Sequence, residues 1–409
     1  MNVDVKRAVE QLRRYVERAD YAGYDPYDAL NSPILRLLGA KSKWMRVGFT
    51  QCLRRCPVNL RPLLAIRKDH NPKGLGLFLW GYTKLYAVER RPDYLSAIEH
   101  LLDLLDRRKC AGYSGNCWGY NFDWQSGTYF RPRTVPTVVN TAFIGHALLD
   151  CHRVTGNPKA LDLVLSTKDF ILQDLNRTAA GETFCFSYTP VDQGIVHNAN
   201  VLGASLLIRL GRYAVDDRIE EAALASLAYT MQRQHEDGSW YYADRQRQRW
   251  IDSFHTGFVL LALRYFLEEG TADQYRRAYA KAVRYYASRF FLADGTPKYY
   301  ADRVYPIDIH SPAMAIAFFS QAGSSYRTLV DRIVTWMLSN MRDPKGYFYF
   351  RKHKHYTNKV PYMRWSQAWA FYALAEYLCQ RARRPEDADE TNTQEARDTR
   401  NPVESTGVL

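Results

Sequence analysis

Long apolar runs are missing from this 409-residue sequence; the longest, such as Ala313 to Phe319, fall far short of the roughly 20 residues a membrane span needs. The opening Met1-Asn-Val-Asp-Val-Lys has no signal-peptide core, so a soluble, unexported, cytoplasmic protein is expected. Paired C-x-x-C motifs and H-E-x-x-H are absent. The seven cysteines form an odd set in a chain large enough to fold without cross-links, which points to a reducing compartment. Cys185, in Thr-Phe-Cys-Phe-Ser, reads as a small buried apolar residue rather than a nucleophile. No RNA-reading motif, helix-turn-helix, zinc-finger spacing or long basic arm is found, which argues against nucleic acid as the partner. Acidic residues are in deficit, 43 against 56 lysines and arginines, for a formal net charge of +13. An acidic glycan or phosphorylated substrate fits that excess, as does a basic surface that is merely well solvated.

What is present is ample core material: 46% of residues are apolar and 14% aromatic. One block recurs six times, an amphipathic helix, a loop dense in Gly, Trp and Tyr, then a helix apolar nearly all round. The apolar helices are expected at about 74–90, 136–153, 196–212, 251–267, 308–322 and 362–380, and the amphipathic ones at 42–56, 92–108, 158–175, 216–235, 272–291 and 325–341. Asn140, His197, His255, His310 and Gln367 mark the repeat, every 55–58 residues. A helix apolar on all sides must be covered, and one with a charged face can cover it and meet water. Six alternations therefore describe two concentric rings, an all-α (α/α)6 toroid, with short β-hairpin loops at one end. The expected organisation is one toroid domain over 1–380, opened by a capping helix at about 4–19, and a polar, disordered tail over 381–409.

The loops precede the inner helices, so they gather where the inner-helix N-termini point, and that end is the expected active face. Asn140; His197, Asn198 and Asn200; Asp252 and His255; Asp308 and His310; and Arg364, Trp365 and Gln367 all fall there. Helix capping accounts for any one Asp or Asn. It does not account for histidine in three consecutive blocks, nor for Trp118, Trp124, Trp240 and Trp365 nearby. A sugar site needs such stacking platforms beside hydrogen-bonding and titratable groups.

Two chemistries are open. Glycoside hydrolysis needs two carboxyl groups about 5–9.5 Å apart, and Asp123, Asp252 and Asp308 are the candidates. Epimerisation or β-elimination of a uronate needs a base and an acid at C5 and a group that neutralises the carboxylate; His255, His310 and Tyr120 or Tyr242 supply the former, Arg364 or Arg131 the latter. Asp123, Asp252, His255, Asp308 and His310 are thus the catalytic candidates. The substrate-binding set is Trp118, Tyr120, Trp124, Asn140, His197, Asn198, Asn200, Trp240, Tyr242, Arg364, Trp365 and Gln367. A metal held by Asp252, His255, Asp308, His310 and His197 is the weaker reading, and Gly74-Leu-Gly reads as close helix packing rather than a phosphate loop, so no metal or cofactor is expected.

Gln234-His-Glu-Asp-Gly-Ser-Trp240 resembles the Q-x-x-x-G-x-W repeat of squalene cyclase and prenyltransferase toroids, but no inner helix carries the cyclases' D-x-D-D element, so the resemblance implies the fold and not their chemistry. Tyr24-Asp-Pro-Tyr-Asp-Ala-Leu, Trp118-Gly-Tyr-Asn-Phe-Asp-Trp-Gln, Val196-His-Asn-Ala-Asn, Trp250-Ile-Asp-Ser-Phe-His-Thr-Gly-Phe and Tyr305-Pro-Ile-Asp-Ile-His-Ser resemble a family of uncharacterised VpsJ-like toroid proteins found among polysaccharide-biosynthesis genes. That resemblance, over residues 20–380, implies a saccharide ligand, expected to be anionic, and a role beside polysaccharide-synthesis proteins. It supplies no mechanism. A non-catalytic glycan-binding scaffold and a terpenoid or prenyl-group enzyme are the alternative readings.

Overall fold

The computed structural model describes residues 2–125, 130–214 and 216–383. Six buried helices form an inner ring: α4 (Pro72–Val88), α6 (Val138–Thr155), α9 (His197–Leu210), α11 (Ser253–Glu268), α13 (His310–Phe319) and α15 (Trp369–Arg383). Each packs on the next, and α15 packs back on α4, so the ring closes. One hydrophobic cluster runs through it from Val5 to Leu378. Amphipathic helices cover it: α5 (Pro92–Arg107) on α4, α7 (Pro158–Leu165) on α6, α10 (Asp217–Met231) on α9, α12 (Arg276–Arg289) on α11 and α14 (Arg327–Asn340) on α13. After α7, the short α8 (Thr167–Asp169) runs into a π-helical turn at Phe170–Asp174. This is the (α/α)6 toroid that the alternation of apolar and amphipathic helices predicts.

The sixth outer position corrects that prediction. It belongs to α1 (Asn2–Arg18), which packs on α15, and not to 42–56. A recurring turn makes the equivalence visible. Gly238, Gly295 and Gly346 all take positive φ, and a Cβ at each would fall within 3.0 Å of backbone of the next outer helix: Lys281 on α12, Arg332 on α14 and Gln11 on α1. The 4–19 helix is therefore a ring member rather than a cap. The chain then rises over the mouth as α2 (Pro33–Leu38) and α3 (Lys43–Arg55), which bury their own small cluster of Ala29, Leu35, Leu53 and Ile66. Both 4–19 and 42–56 have an apolar face, so periodicity does not tell them apart. Closure decides, because α15 needs a cover and α1 is the helix that reaches it.

The expected hairpins are present as β1 (Trp124–Gln125) with β2 (Phe130–Arg131), β3 (Arg177–Ala180) with β4 (Thr183–Phe186), and the three-stranded β5 (Ile307–Asp308), β6 (Arg351–Lys352), β7 (Thr357–Asn358). Gly76 meets α6 so closely that a Cβ would lie 2.7 Å from the Ile144 side chain, which is the close helix packing expected of Gly74-Leu-Gly. Among the described residues no helix is long and apolar enough to cross a membrane. Of the tail expected at 381–409, residues 381–383 instead continue α15, and 384–409 lie outside the described residues.

Candidate active site

The N-terminal ends of the six inner helices surround one cavity of about 620 Å³. Lys73, Val139, Asn198, His255 and His310 reach it from α4, α6, α9, α11 and α13, and Arg364 and Trp365 from a π-helical turn (Met363–Ala368) that leads into α15. Caps fix these starts. Asn71 accepts from the backbone N–H groups of Lys73 and Gly74, with Pro72 in the first turn, and Thr137 accepts from that of Asn140. The wall is aromatic, with Trp124, Trp250, Tyr120, Tyr188, Tyr242 and Tyr299 prominent. It is also cationic: Arg54, Arg131, Arg245 and Arg364 line it, with the Lys73 amine, against one carboxylate among the described residues, that of Asp192.

Asp252 caps α11 by accepting from the His255 backbone N–H, and its other oxygen lies 2.6 Å from His255 Nδ1 and takes the Trp250 indole N–H at 3.1 Å. The carboxylate is buried behind the imidazole, which it orients. The His255 ring is part-exposed to the cavity, and its Nε2 makes no hydrogen bond among the described residues. Tyr242 lies 4.6 Å from it, ring to ring, and stacks on Trp250.

His310 is set between Trp365, Phe254 and Trp369, at ring distances of 4.1, 5.0 and 5.1 Å. Burial pushes its imidazole down to about 3, with Lys73 and Arg364 adding to the fall and Asp308 opposing it. The ring is therefore neutral near pH 7. Asp308 accepts from Arg351 through two N–H groups, from the Trp365 indole at 2.8 Å and from the His310 backbone N–H. Burial alone would raise its pKa, but Arg351, which stands opposite it across the β5–β6 ladder, and His310 hold it well below the usual carboxylate range.

The neutral His310 carries a pH signature. The unfolded chain takes a proton at about 6.5 that the folded one refuses until about 3, so this group's contribution to stability is complete above 6.5 and declines as pH falls toward 3. Denaturant titrations across that window should show a slope approaching about 1.4 kcal/mol per pH unit from this residue. His310→Gln should flatten the profile by that amount; an unchanged slope would mean that the ring is protonated in the fold.

The structure divides the predicted site residues. His255, His310, Tyr120, Trp124, Asn198, Tyr242, Arg364 and Trp365 all line the cavity. Asp123, Asp252 and Asp308 do not. Asp123 accepts from the Arg133 backbone N–H, and the other two serve as caps and orienting groups. The carboxyl pair that hydrolysis requires is thus not on the wall formed by the described residues. Of the predicted binding residues, Trp118 donates to the Leu105 carbonyl and Trp240 to that of Thr230, both in the core. His197 pairs with Asp244 at 2.8 Å, which holds the 241–250 loop through Tyr229 and Arg233 as well. Asn200 is fully engaged with Phe186, Ser226 and Thr230, and Gln367 with both backbone groups of Phe348. Asn140 is buried off the cavity wall, its amide without a partner among the described residues. No three His, Cys, Asp or Glu side chains among the described residues come together as a metal site.

Arg364 lies bidentate on Asp25 at 2.6 and 2.8 Å. Arg131 is buried over the rings of Tyr120 and Trp124, at 4.6 and 5.2 Å, with no carboxylate partner among the described residues. Lys73 was missed by sequence reasoning. Its Nζ lies 4.2, 4.9 and 5.4 Å from the ring centres of Phe143, Phe258 and Trp369, and it too has no carboxylate partner. Three rings favour an ammonium by about 0.5–2 kcal/mol. Removing an unpaired charge from water costs more, several kcal/mol, and Arg364 repels it further. The amine is accordingly driven well below its ordinary pKa, by burial first and Arg364 second. Its signal in the sequence was a lysine in the first turn of a helix that is otherwise almost uncharged.

No family model and no curated protein matches the chain. Among solved structures it is similar to the cellobiose 2-epimerase of Bacillus thermoamylovorans (TM-score 0.59, 15% identity, 78% of this chain and 90% of that one). A GH76 α-mannanase of Bacteroides thetaiotaomicron (0.58, 12%, 82% and 90%) and a polysaccharide lyase (0.53, 13%, 76% and 89%) are also similar. At such identities the likeness establishes the fold: the chain is an (α/α)6 toroid.

Proposed function

We propose that the protein transfers a proton at the carbon beside the carboxylate of an acidic saccharide, epimerising or eliminating at C5 of a uronate. One observation carries this reading: two imidazoles, His255 oriented by Asp252 and His310 kept neutral by burial, face one cationic, aromatic cavity whose wall, among the described residues, offers no carboxyl pair. His255 Nε2 takes the C5 proton, and His310, Tyr242 or Tyr120 serves the opposite face or the leaving oxygen. Arg131 holds the uronate carboxylate; Arg364, committed to Asp25, acts as a fixed positive charge behind it. The aromatic rings stack on the sugars. A cellobiose 2-epimerase and a polysaccharide lyase share the fold, which supports saccharide chemistry of this kind. The resemblance to toroid proteins of polysaccharide-biosynthesis clusters supports an extracellular polysaccharide intermediate as the source of the substrate.

The test is incubation with uronate-containing oligosaccharides in deuterated water. Deuterium at C5, or an unsaturated uronate end, is the expected result. Shortened chains with new saturated reducing ends would replace this reading with hydrolysis, and binding without either change would leave a glycan-binding protein. Arg131→Ala should weaken binding of the acidic saccharide by about 10–100-fold, the 1.5–3 kcal/mol of a charge-assisted hydrogen bond, and should lower kcat as well, since an unneutralised carboxylate leaves the C5 proton less acidic. The check is the dissociation constant for acidic and neutral oligosaccharides, since a neutral one should not register the loss.

A further inference from the structure

The helix α4 carries two buried lysines with opposite surroundings. Lys84 sits between two carboxylates, Asp150 and Glu376, at 3.0 Å each. Lys73, three turns nearer the N-terminus, has three aromatic rings around it, the Arg364 guanidinium as the charge that acts on it most strongly, and the cavity beside it. A lysine kept for packing or charge balance would resemble the first. A methionine would fill the second environment without desolvating a charge. Lys73 and His310 also share a neighbour: both lie against Trp369, at 5.4 and 5.1 Å. An amine with three rings around it and no carboxylate partner among the described residues, its pKa driven down by burial and Arg364, open to a ligand cavity and beside a neutral imidazole, has the properties of a carbonyl-condensing nucleophile.

We infer that Lys73 is a nucleophilic amine that condenses with the free carbonyl of an open-chain reducing sugar in this cavity. The Nζ lone pair forms a bond to the carbonyl carbon, a proton passes from nitrogen to the oxygen, and the carbinolamine loses water to give the imine. Protonated on nitrogen, the imine draws electrons from the adjoining C–H and makes its proton exchangeable. Water then adds back and releases the sugar with the amine restored. The inference goes beyond proton transfer at C5, because it gives the cavity a second class of substrate handle, a reducing-end carbonyl, and it does not depend on the C5 reading.

The experiment is reductive trapping of the full chain with glyceraldehyde and sodium cyanoborohydride at pH 6, read by intact mass and peptide mapping. At that pH exposed lysines, with ordinary pKa near 10.4, are almost wholly protonated. Lys73 should be modified at least 10-fold faster than any other lysine, Lys84 included, and the fast adduct should vanish in Lys73→Met. That variant leaves no carboxylate unpaired and should fold, with thermal melting as the check; Lys73→Arg keeps a long basic side chain but no nucleophilic amine and should also give no fast adduct. Labelling spread over surface lysines with Lys73 untouched, or an unchanged fast adduct in Lys73→Met, would overturn the inference. C5 deuteration is read separately, so failure of either proposal leaves the other standing.

Discussion

Lys84→Met is expected to cost the fold about 3–5 kcal/mol, because it strips the counter-ion from carboxylates that cannot reach water. Lys84 Nζ lies 3.0 Å from both Asp150 and Glu376, whose side chains are 5% and 0% exposed. Asp150 keeps Arg209 at 2.6 Å and the Trp80 indole at 2.8 Å after the substitution. Glu376 keeps only the Gln380 amide as a hydrogen-bond partner and no ion pair within 4 Å among the described residues. The loss should fall mainly on Glu376, so Lys84→Met/Glu376→Gln should recover at least half of it. Urea titrations of the two single variants and the double variant measure the coupling. A cost below about 1 kcal/mol for Lys84→Met would mean that water enters this end of the ring.

This ion cluster belongs to the end of the ring opposite the cavity, where the inner helices finish, and it was not legible in the sequence. Five inner helices supply one charge each, Lys84 from α4, Asp150 from α6, Arg209 from α9, Arg264 from α11 and Glu376 from α15, and helical periodicity does not say which charge on a nearly apolar helix faces its neighbours. The ring itself was legible because its cause is local: every apolar helix needs an amphipathic cover, and the pair recurs at nearly constant spacing. The identity of the sixth cover was not, since α1 and α15 meet only when the chain closes on itself.

The same contrast runs through the site. Residue types at helix starts foretold where the cavity would be, and its aromatic and cationic character. They did not foretell direction. Asp252 and Asp308 turn to backbone N–H groups and to neighbouring rings, as capping chemistry prefers, rather than into the cavity. His197 turns to Asp244, a residue of the following loop that no spacing rule pairs with it. The carboxylates of Asp252 and Asp308 therefore meet the cavity only through the histidines and tryptophans they hold.

His255→Ala should reduce C5 deuterium exchange by about 10²–10⁴-fold, the usual worth of a positioned acid or base, with little change in melting because the ring is part-exposed. Asp252→Asn is the sharper variant. In the native site one carboxylate receives three donors: the His255 backbone N–H, the His255 imidazole and the Trp250 indole. It thereby fixes the Nδ1–H tautomer and leaves the Nε2 lone pair toward the cavity. An amide has one acceptor oxygen and an NH₂ group. If the oxygen retains the helix cap, the NH₂ faces Nδ1, the ring must accept there, and its proton moves to Nε2, where it blocks the base. Exchange should then fall by about 10²-fold or more while the cap, worth about 1 kcal/mol, is preserved. Asp252→Ala should lose both, so the pair separates orientation from stability. Equal activity in Asp252→Asn and the native protein would show that His255 does not depend on its tautomer, and the proton would have to be taken by another group, such as a cavity tyrosine, instead.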